Sequence, residues 1–101
     1  MKADVLGTIY TINFVNDMKD GYDGLTDYRT KIIKITDDKS HNIPVILRHE
    51  LMHAFFFEAG LMHSYANDEV LVDFIALQYE KIRELFENAR IDYENTDKRA
   101  D

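Results

Sequence analysis

The pentapeptide HELMH at residues 49–53 is the feature that most constrains how this chain of 101 residues can fold. Two histidines four residues apart lie on one face of an α-helix, so the imidazoles of His49 and His53 can bind one zinc ion at about 2.0–2.1 Å. Glu50, next to the first histidine, is positioned to hold and deprotonate a water molecule at the metal's open coordination position. The sequence therefore predicts a helix that carries a zinc site.

Composition argues against several other classes of protein. The net charge of −7 disfavours a non-specific nucleic-acid binder, because phosphate contacts require clustered lysine and arginine. No apolar run approaches the length of a membrane span, and the N-terminus is a poor signal peptide. The lack of cysteine removes disulfides and cysteine-ligated zinc. We therefore expect a cytoplasmic protein with neither nucleic acid nor membrane as a partner.

Hydrophobic patterning predicts an α+β domain in which a sheet precedes two helices. Residues 5–15 are rich in β-branched and aromatic side chains and predict a strand, and residues 25–36 predict a second strand or two short ones. Asn42 can cap a helix over residues 43–59, which Gly60 can end in the left-handed conformation. We expect a small antiparallel or mixed sheet of two or three strands that packs on this helix.

A second, longer helix is predicted after a short connector. Asn67 can cap it, Glu69 lies in its positive first turn, and apolar residues recur at helical spacing to about Ala89. Residues 92–101 are polar and predicted to form a frayed tail. The chain is therefore expected to form a single minimal domain over residues 1–91.

A catalytic zinc ion normally has three protein ligands, and two residues are candidates for the third. Glu69 lies sixteen residues after His53, at the start of the second helix, although helix-dipole chemistry alone would also favour an acid there. Asp73, one turn later on the same face, can accept the free N–H of a metal-bound histidine and fix its tautomer. His63, just past Gly60, is the alternative third ligand if the chain turns back toward the metal.

The order HELMHA, AGL and E-x-x-x-D resembles the gluzincin class of zinc metallopeptidases. More narrowly, it resembles the small ImmA/IrrE-like and phage-encoded metallopeptidases, which join a short sheet to an HExxH helix and a following helix. The resemblance spans about residues 24–80, and its specific part is residues 49–53. It implies a zincin-like domain in which Glu69 is the third zinc ligand.

The resemblance also implies features of substrate binding. By analogy, the strand at residues 31–36 would be a sheet edge that pairs with an extended peptide substrate. The family's oxyanion stabiliser lies outside the zinc ligands, and His63 or Tyr65 stands near the corresponding position. By this resemblance residues 31–36 are the expected substrate surface, and His63 or Tyr65 is the expected oxyanion stabiliser.

Two functions follow as hypotheses. In the first, the chain is a zinc-dependent metalloendopeptidase that acts on a peptide or protein, with Glu50 taking a proton from the metal-activated water and passing it to the leaving amine. In the second, it is a binding module, such as a phage or host regulator, that keeps the metal site and acts through a protein partner. The small size favours the second, because about one hundred residues leave little for the far wall of a cleft.

Overall fold

The computed structural model describes residues 1–61 and 68–96, with the side chain of Asp20 left undescribed. Within those ranges the chain forms a four-stranded mixed sheet and two helices, which confirms the α+β fold and adds strands to the two or three expected. A short 3₁₀ turn occupies Lys19–Gly21. The strands and helices are β1 Lys2–Val5, β2 Thr8–Val15, β3 Gly24–Asp27, β4 Ile32–Thr36, α1 Ile43–Glu58 and α2 Glu69–Asn95.

The first predicted strand is divided by a tight hairpin turn. Leu6 and Gly7 both have positive φ angles, 52° and 92°, as a two-residue type I′ connection requires. The Gly7 amide donates to Oδ1 of Asp4 at 2.8 Å, and Val5 pairs with Thr8 across the turn. The apolar composition that predicted one strand therefore belongs to the end of β1 and the whole of β2.

The strand order is β1-β2-β4-β3, and β2 and β4 are parallel while the other pairs are antiparallel. β4 is thus an interior strand with a hydrogen-bonded neighbour on each side. The expectation that residues 31–36 form an edge is wrong, because the chain returns as β4 between β2 and β3. The edge strand nearest the HELMH helix is β3, which packs directly against α1.

The core lies between the sheet and α1. Side chains on one face of a strand recur every second residue, and such pairs from β2 and β4 are at most 2% exposed. Ala54 of α1 is fully buried against them, so the backbone of α1 approaches the sheet closely. This packing fixes the rotation of α1. The buried sheet pairs are Tyr10 and Ile12 on β2 and Ile33 and Ile35 on β4.

α2 is capped by Asp68, whose Oδ1 accepts from the Leu71 amide at 3.0 Å. The predicted cap Asn67 lies outside the described residues. The helix continues to Asn95, past the expected end, and packs on α1 through the fully buried Val72 and Ala76. Neither described helix has the combination of length and apolar character that crossing a bilayer would need.

Candidate metal centre

The two histidines of the HELMH helix face each other across one turn. His49 Nε2 and His53 Nε2 are 3.1 Å apart, and the two rings meet at 66°. His53 is buried, while the His49 side chain is 17% exposed. The pair is held at the surface of the domain with both Nε2 atoms turned to the same point, as the i, i+4 spacing predicts.

Glu69, in the first turn of α2, contacts both histidines. Its Oε2 lies 2.9 Å from His49 Nε2, and its Oε1 lies 3.1 Å from His53 Nε2. The described residues thus contain a group of His49, His53 and Glu69 that could hold a metal ion, with ligand atoms all within 4.8 Å of one another. The alternative ligand His63, also considered with Tyr65 as an oxyanion stabiliser, lies in residues 62–67, outside the described ranges.

The chemistry of the three donors fits zinc. Two imidazole nitrogens and one carboxylate oxygen form a donor set typical of catalytic zinc sites, which keep a fourth position open. Tetrahedral donors at about 2.0–2.1 Å from one ion stand about 3.3 Å apart. The observed contacts between Glu69 and the two histidines are 2.9 and 3.1 Å, so small side-chain adjustments would accommodate the ion.

The second nitrogen of His49 is also engaged. Its Nδ1 lies 2.7 Å from Oδ1 of Asp73, one turn after Glu69 on α2. A neutral His49 that donates from Nδ1 to this carboxylate leaves Nε2 as the acceptor facing the site, and such a carboxylate makes the ring a better ligand. The structure therefore brings Asp73 to the position in which it would orient a metal-bound histidine.

Glu50 lies directly beside the site and is 7% exposed. Its Oε2 is 3.9 Å from His49 Nε2, close to the donors but outside the set of three. The Thr26 hydroxyl on β3 is 2.8 Å from Glu50 Oε1 and 3.1 Å from the Glu50 carbonyl oxygen, so it can donate to either. The carboxyl group is thereby held on the side of the cavity formed by the edge strand.

Burial raises the pKa of the Glu50 carboxyl above its usual value, and the nearby Glu69 carboxylate raises it further. The hydrogen bond from Thr26 and the two histidines act in the opposite direction but do not cancel the burial. A cation in the site would lower this pKa again, because a nearby positive charge favours the ionised carboxylate.

Gly24 makes room for Glu50. A Cβ atom added at this glycine would lie 2.8 Å from Glu50 Cγ and 3.0 Å from Glu50 Oε2, closer than side-chain atoms normally approach. The edge strand can therefore lie against the buried carboxyl only because this position lacks a side chain. The sequence did not indicate that Gly24 and Thr26 contact Glu50. These contacts depend on how β3 packs against α1, and no local sequence pattern predicts that packing.

A cavity of about 490 Å³ opens in front of these groups. The donors and Glu50 form its floor, and β3 forms one wall. Tyr28, which follows β3, also lines the cavity, and its pKa is raised by burial and by the charges of Glu50 and Glu69. The site is thus an open cleft bounded by the edge strand and is wide enough to admit part of a peptide.

At the opposite end of α1, Glu58 is surrounded by hydrogen-bond donors from the sheet side of the domain. Its Oε2 accepts from Tyr10 Oη at 2.6 Å and from Lys31 Nζ at 2.8 Å, and its Oε1 accepts from Thr8 Oγ1 at 3.0 Å. Lys31 has a left-handed φ of 61°, which is uncommon for a long side chain. Glu58 therefore points to the sheet, since a residue five positions after His53 lies off the helix face that carries the two histidines.

No protein-family model, curated protein or solved structure matches this chain. The chemistry of the site itself therefore carries the functional inference.

Proposed function

We propose that this protein is a zinc-dependent metallopeptidase that hydrolyses peptide bonds. The observation that carries the proposal is the convergence of His49, His53 and Glu69 beside the buried carboxyl of Glu50. A metal-binding site alone would need only the three donors. A buried carboxyl of raised pKa, held next to them by Thr26, is what general-base catalysis requires in addition.

Zinc in this site would lower the pKa of a coordinated water molecule and polarise a substrate carbonyl. Glu50 takes the proton from the attacking water, since its Oε2 faces the donor side of the cavity. The same carboxyl then delivers that proton to the leaving amine, which leaves Glu50 ionised for the next cycle. Asp73 holds the tautomer of His49 throughout, through the 2.7 Å contact with Nδ1.

The edge strand β3 supplies the surface on which we expect the peptide to bind. Among the described strands only β4 pairs with β3, so its outer edge can accept an extended peptide by strand addition. Thr26 on β3 contacts Glu50, so a peptide paired with this strand would lie across the metal-binding group. This assignment replaces residues 31–36 as the substrate surface.

The proposal is tested with metal analysis and peptide hydrolysis on the same preparations. We expect one zinc per chain in the wild type, loss of most zinc in Glu69→Ala, and peptide cleavage that a chelator removes and added zinc restores. Asp68→Asn changes the neighbouring acid without changing the donor set and is the matched control. Zinc bound at full stoichiometry with no cleavage in a broad peptide pool would refute the catalytic proposal.

A second candidate, a metal-containing module that acts by binding a protein partner, is favoured by one observation. The outer part of α2 carries large apolar side chains that are 61–68% exposed: Leu77, Leu85 and Phe86. Apolar surface of this kind is typical of interaction sites. Zinc without proteolysis, together with a stoichiometric partner that is lost in Leu85→Ser and Phe86→Ser, would support this function over the first.

A further inference from the structure

We infer that the apolar hollow next to the metal-binding group selects a large, uncharged side chain of the substrate, aromatic above all. The inference rests on the proposed function, since the residue selected is the one beside the bond to be cleaved. The hollow is a broad depression of about 550 Å³ that is open to solvent.

The hollow and the metal cavity are continuous. Leu25, Thr26 and Tyr28 line both, so the two spaces share the wall formed by the end of β3. A peptide that lies along β3 with its scissile carbonyl at the donor group would direct a neighbouring side chain toward this wall. The hollow is therefore placed to contact the substrate next to the reacting bond.

Two stacked rings give the hollow its chemical character. Tyr28 and Phe57 lie with ring centres 4.4 Å apart and planes within 4° of parallel, so the two rings form a face-to-face aromatic stack beside the hollow. Phe57 belongs to α1, so the helix that carries the histidines also supplies this wall. Aromatic surfaces bind flat apolar groups by stacking or by edge-to-face contact, which favours phenyl and indole side chains.

The charged residues at the hollow do not provide a site for an ionic side chain. Asp27 and Arg29 carry opposite charges, and Asp27 Oδ1 accepts from the Arg29 and Thr30 amides at 2.9 and 3.1 Å. Lys31 lies over the Phe57 ring at 4.7 Å, but its ammonium group is paired with Glu58. The other lining residues are apolar or aromatic except Thr26, whose hydroxyl lies 2.8 Å from Glu50 Oε1, so a neutral side chain fits best.

Two simple hydroxamates test the inference without requiring turnover, one with a phenyl group on its chain and one with a methyl group. Both present the same chelating group to the metal, so the difference in their affinities reports the neighbouring hollow. Calorimetry on the zinc-loaded wild type should give about tenfold or more tighter binding of the phenyl compound, since one apolar group of this size discriminates at least to that extent.

Two variants and a control locate the effect. Phe57→Ala and Leu25→Ser should reduce the preference to about threefold or less, and Leu25 is 46% exposed, so its replacement leaves the core intact. Phe55→Ala removes an aromatic ring from the same helix at a position that does not line the hollow, and it should keep the preference. Equal affinity for the two hydroxamates in the wild type, or no binding of either, would overturn the inference.

Peptide hydrolysis separates failure of this inference from failure of the proposed function. If the zinc-loaded protein cleaves peptides with no preference for a large apolar residue beside the scissile bond, the proposed peptidase function is supported and the inferred selectivity of the hollow is wrong. If the hydroxamate preference is found but no peptide is cleaved, the preference of the hollow for a large apolar group is supported and the peptidase proposal fails. Cleavage enriched beside phenylalanine, tyrosine or tryptophan, and lost in Phe57→Ala, would support both.

Discussion

Glu50 and Glu58 lie eight residues apart on the same helix and have opposite environments. Glu50 is buried beside the three candidate metal ligands, and burial raises the pKa of its carboxyl. Glu58 accepts hydrogen bonds from Lys31, Tyr10 and Thr8, and the bond from Lys31 is the largest of the contributions that lower its pKa. α1 thus carries one carboxyl with a raised pKa, that of Glu50, and one with a lowered pKa, that of Glu58.

The difference lies in the number and kind of donors that the sheet presents. At Glu58 a lysine and two hydroxyl groups compensate the lost hydration, so the carboxylate joins α1 to the sheet and has little tendency to take a proton. At Glu50 the described donor from the sheet is the single Thr26 hydroxyl. A perturbed carboxyl in a cleft is a candidate for catalysis, whereas a satisfied ion pair is a candidate for stability.

The largest expected effect that separates the two glutamates is on hydrolysis. Glu50→Gln should lower kcat by about 10²–10⁴-fold while zinc content stays at the wild-type level, because it removes the proton acceptor without removing a donor. Steady-state kinetics and elemental analysis measure both quantities. Glu58→Gln is the paired control and should keep kcat per folded, zinc-loaded molecule. Undiminished hydrolysis in Glu50→Gln would show that Glu50 is not the proton acceptor.

A smaller loss of activity is expected when Glu50 is displaced rather than replaced. Gly24→Ala puts a methyl group 2.8 Å from Glu50 Cγ and 3.0 Å from Ile46 Cγ2, so we expect the Glu50 side chain and the edge strand to move apart. Misplacement of a catalytic group by about 1 Å can cost up to about 100-fold in rate, and we expect a loss of about 10–100-fold in kcat. Gly7→Ala, in the β1–β2 turn with nothing near its added methyl, should reduce stability and leave kcat unchanged. Equal rates for the two variants would contradict this role of Gly24.

For stability, in contrast to hydrolysis, we expect the larger effect from substitution of Glu58. Glu58→Gln removes the charge that Lys31 and two hydroxyl groups compensate, and we expect it to lower the free energy of unfolding by about 1–3 kcal/mol. Denaturant titration of the metal-free protein measures this. Glu87→Gln disrupts an exposed ion pair with Arg90 and should leave the free energy of unfolding almost unchanged, because solvent screens such pairs. Similar costs for the two substitutions would show that Glu58 is not an anchor of α1.

The smallest effect concerns pH. The folded pKa of Glu58 is below its ordinary value of 4.5, so its stabilisation is complete above about pH 4.5 and declines as pH falls through the folded pKa. Burial and the hydrogen bond to Glu58 raise the pKa of the Tyr10 hydroxyl above 10.0. The stabilisation that the protonated Tyr10 hydroxyl provides therefore declines as pH rises beyond 10.0. Unfolding free energies of wild type and Glu58→Gln should converge toward low pH, and parallel curves below pH 4.5 would contradict the assignment.

What the sequence predicted well was local. Helical spacing determines that His49 and His53 share a face, and the same periodicity placed Glu69 and Asp73 one turn apart, where the structure brings both to His49. The boundaries of α1 followed from Asn42 and Gly60, whose capping chemistry depends on neighbouring residues alone.

What the sequence could not predict was long-range. The order of strands depends on how β4 inserts between β2 and β3, and nothing in the composition of residues 31–36 distinguishes an interior strand from an edge. For the same reason Gly24 and Thr26 were not recognised as neighbours of Glu50. The turn at Leu6 was missed because leucine rarely adopts a left-handed conformation.

The donor group draws on two helices, His49 and His53 from α1 and Glu69 from α2, and this division has a thermodynamic consequence. Apart from the contacts of Glu69 and Asp73 with the histidines, α2 buries Val72 and Ala76 and accepts a hydrogen bond from Arg48 at the Ala76 carbonyl at 3.0 Å. An ion bound by both helices favours their docked arrangement, and by reciprocity docking favours the ion by the same factor. If a metal ion binds to this group, its affinity would therefore also depend on how stably α2 packs on α1, and substitutions in that helix interface would change it without touching the ion.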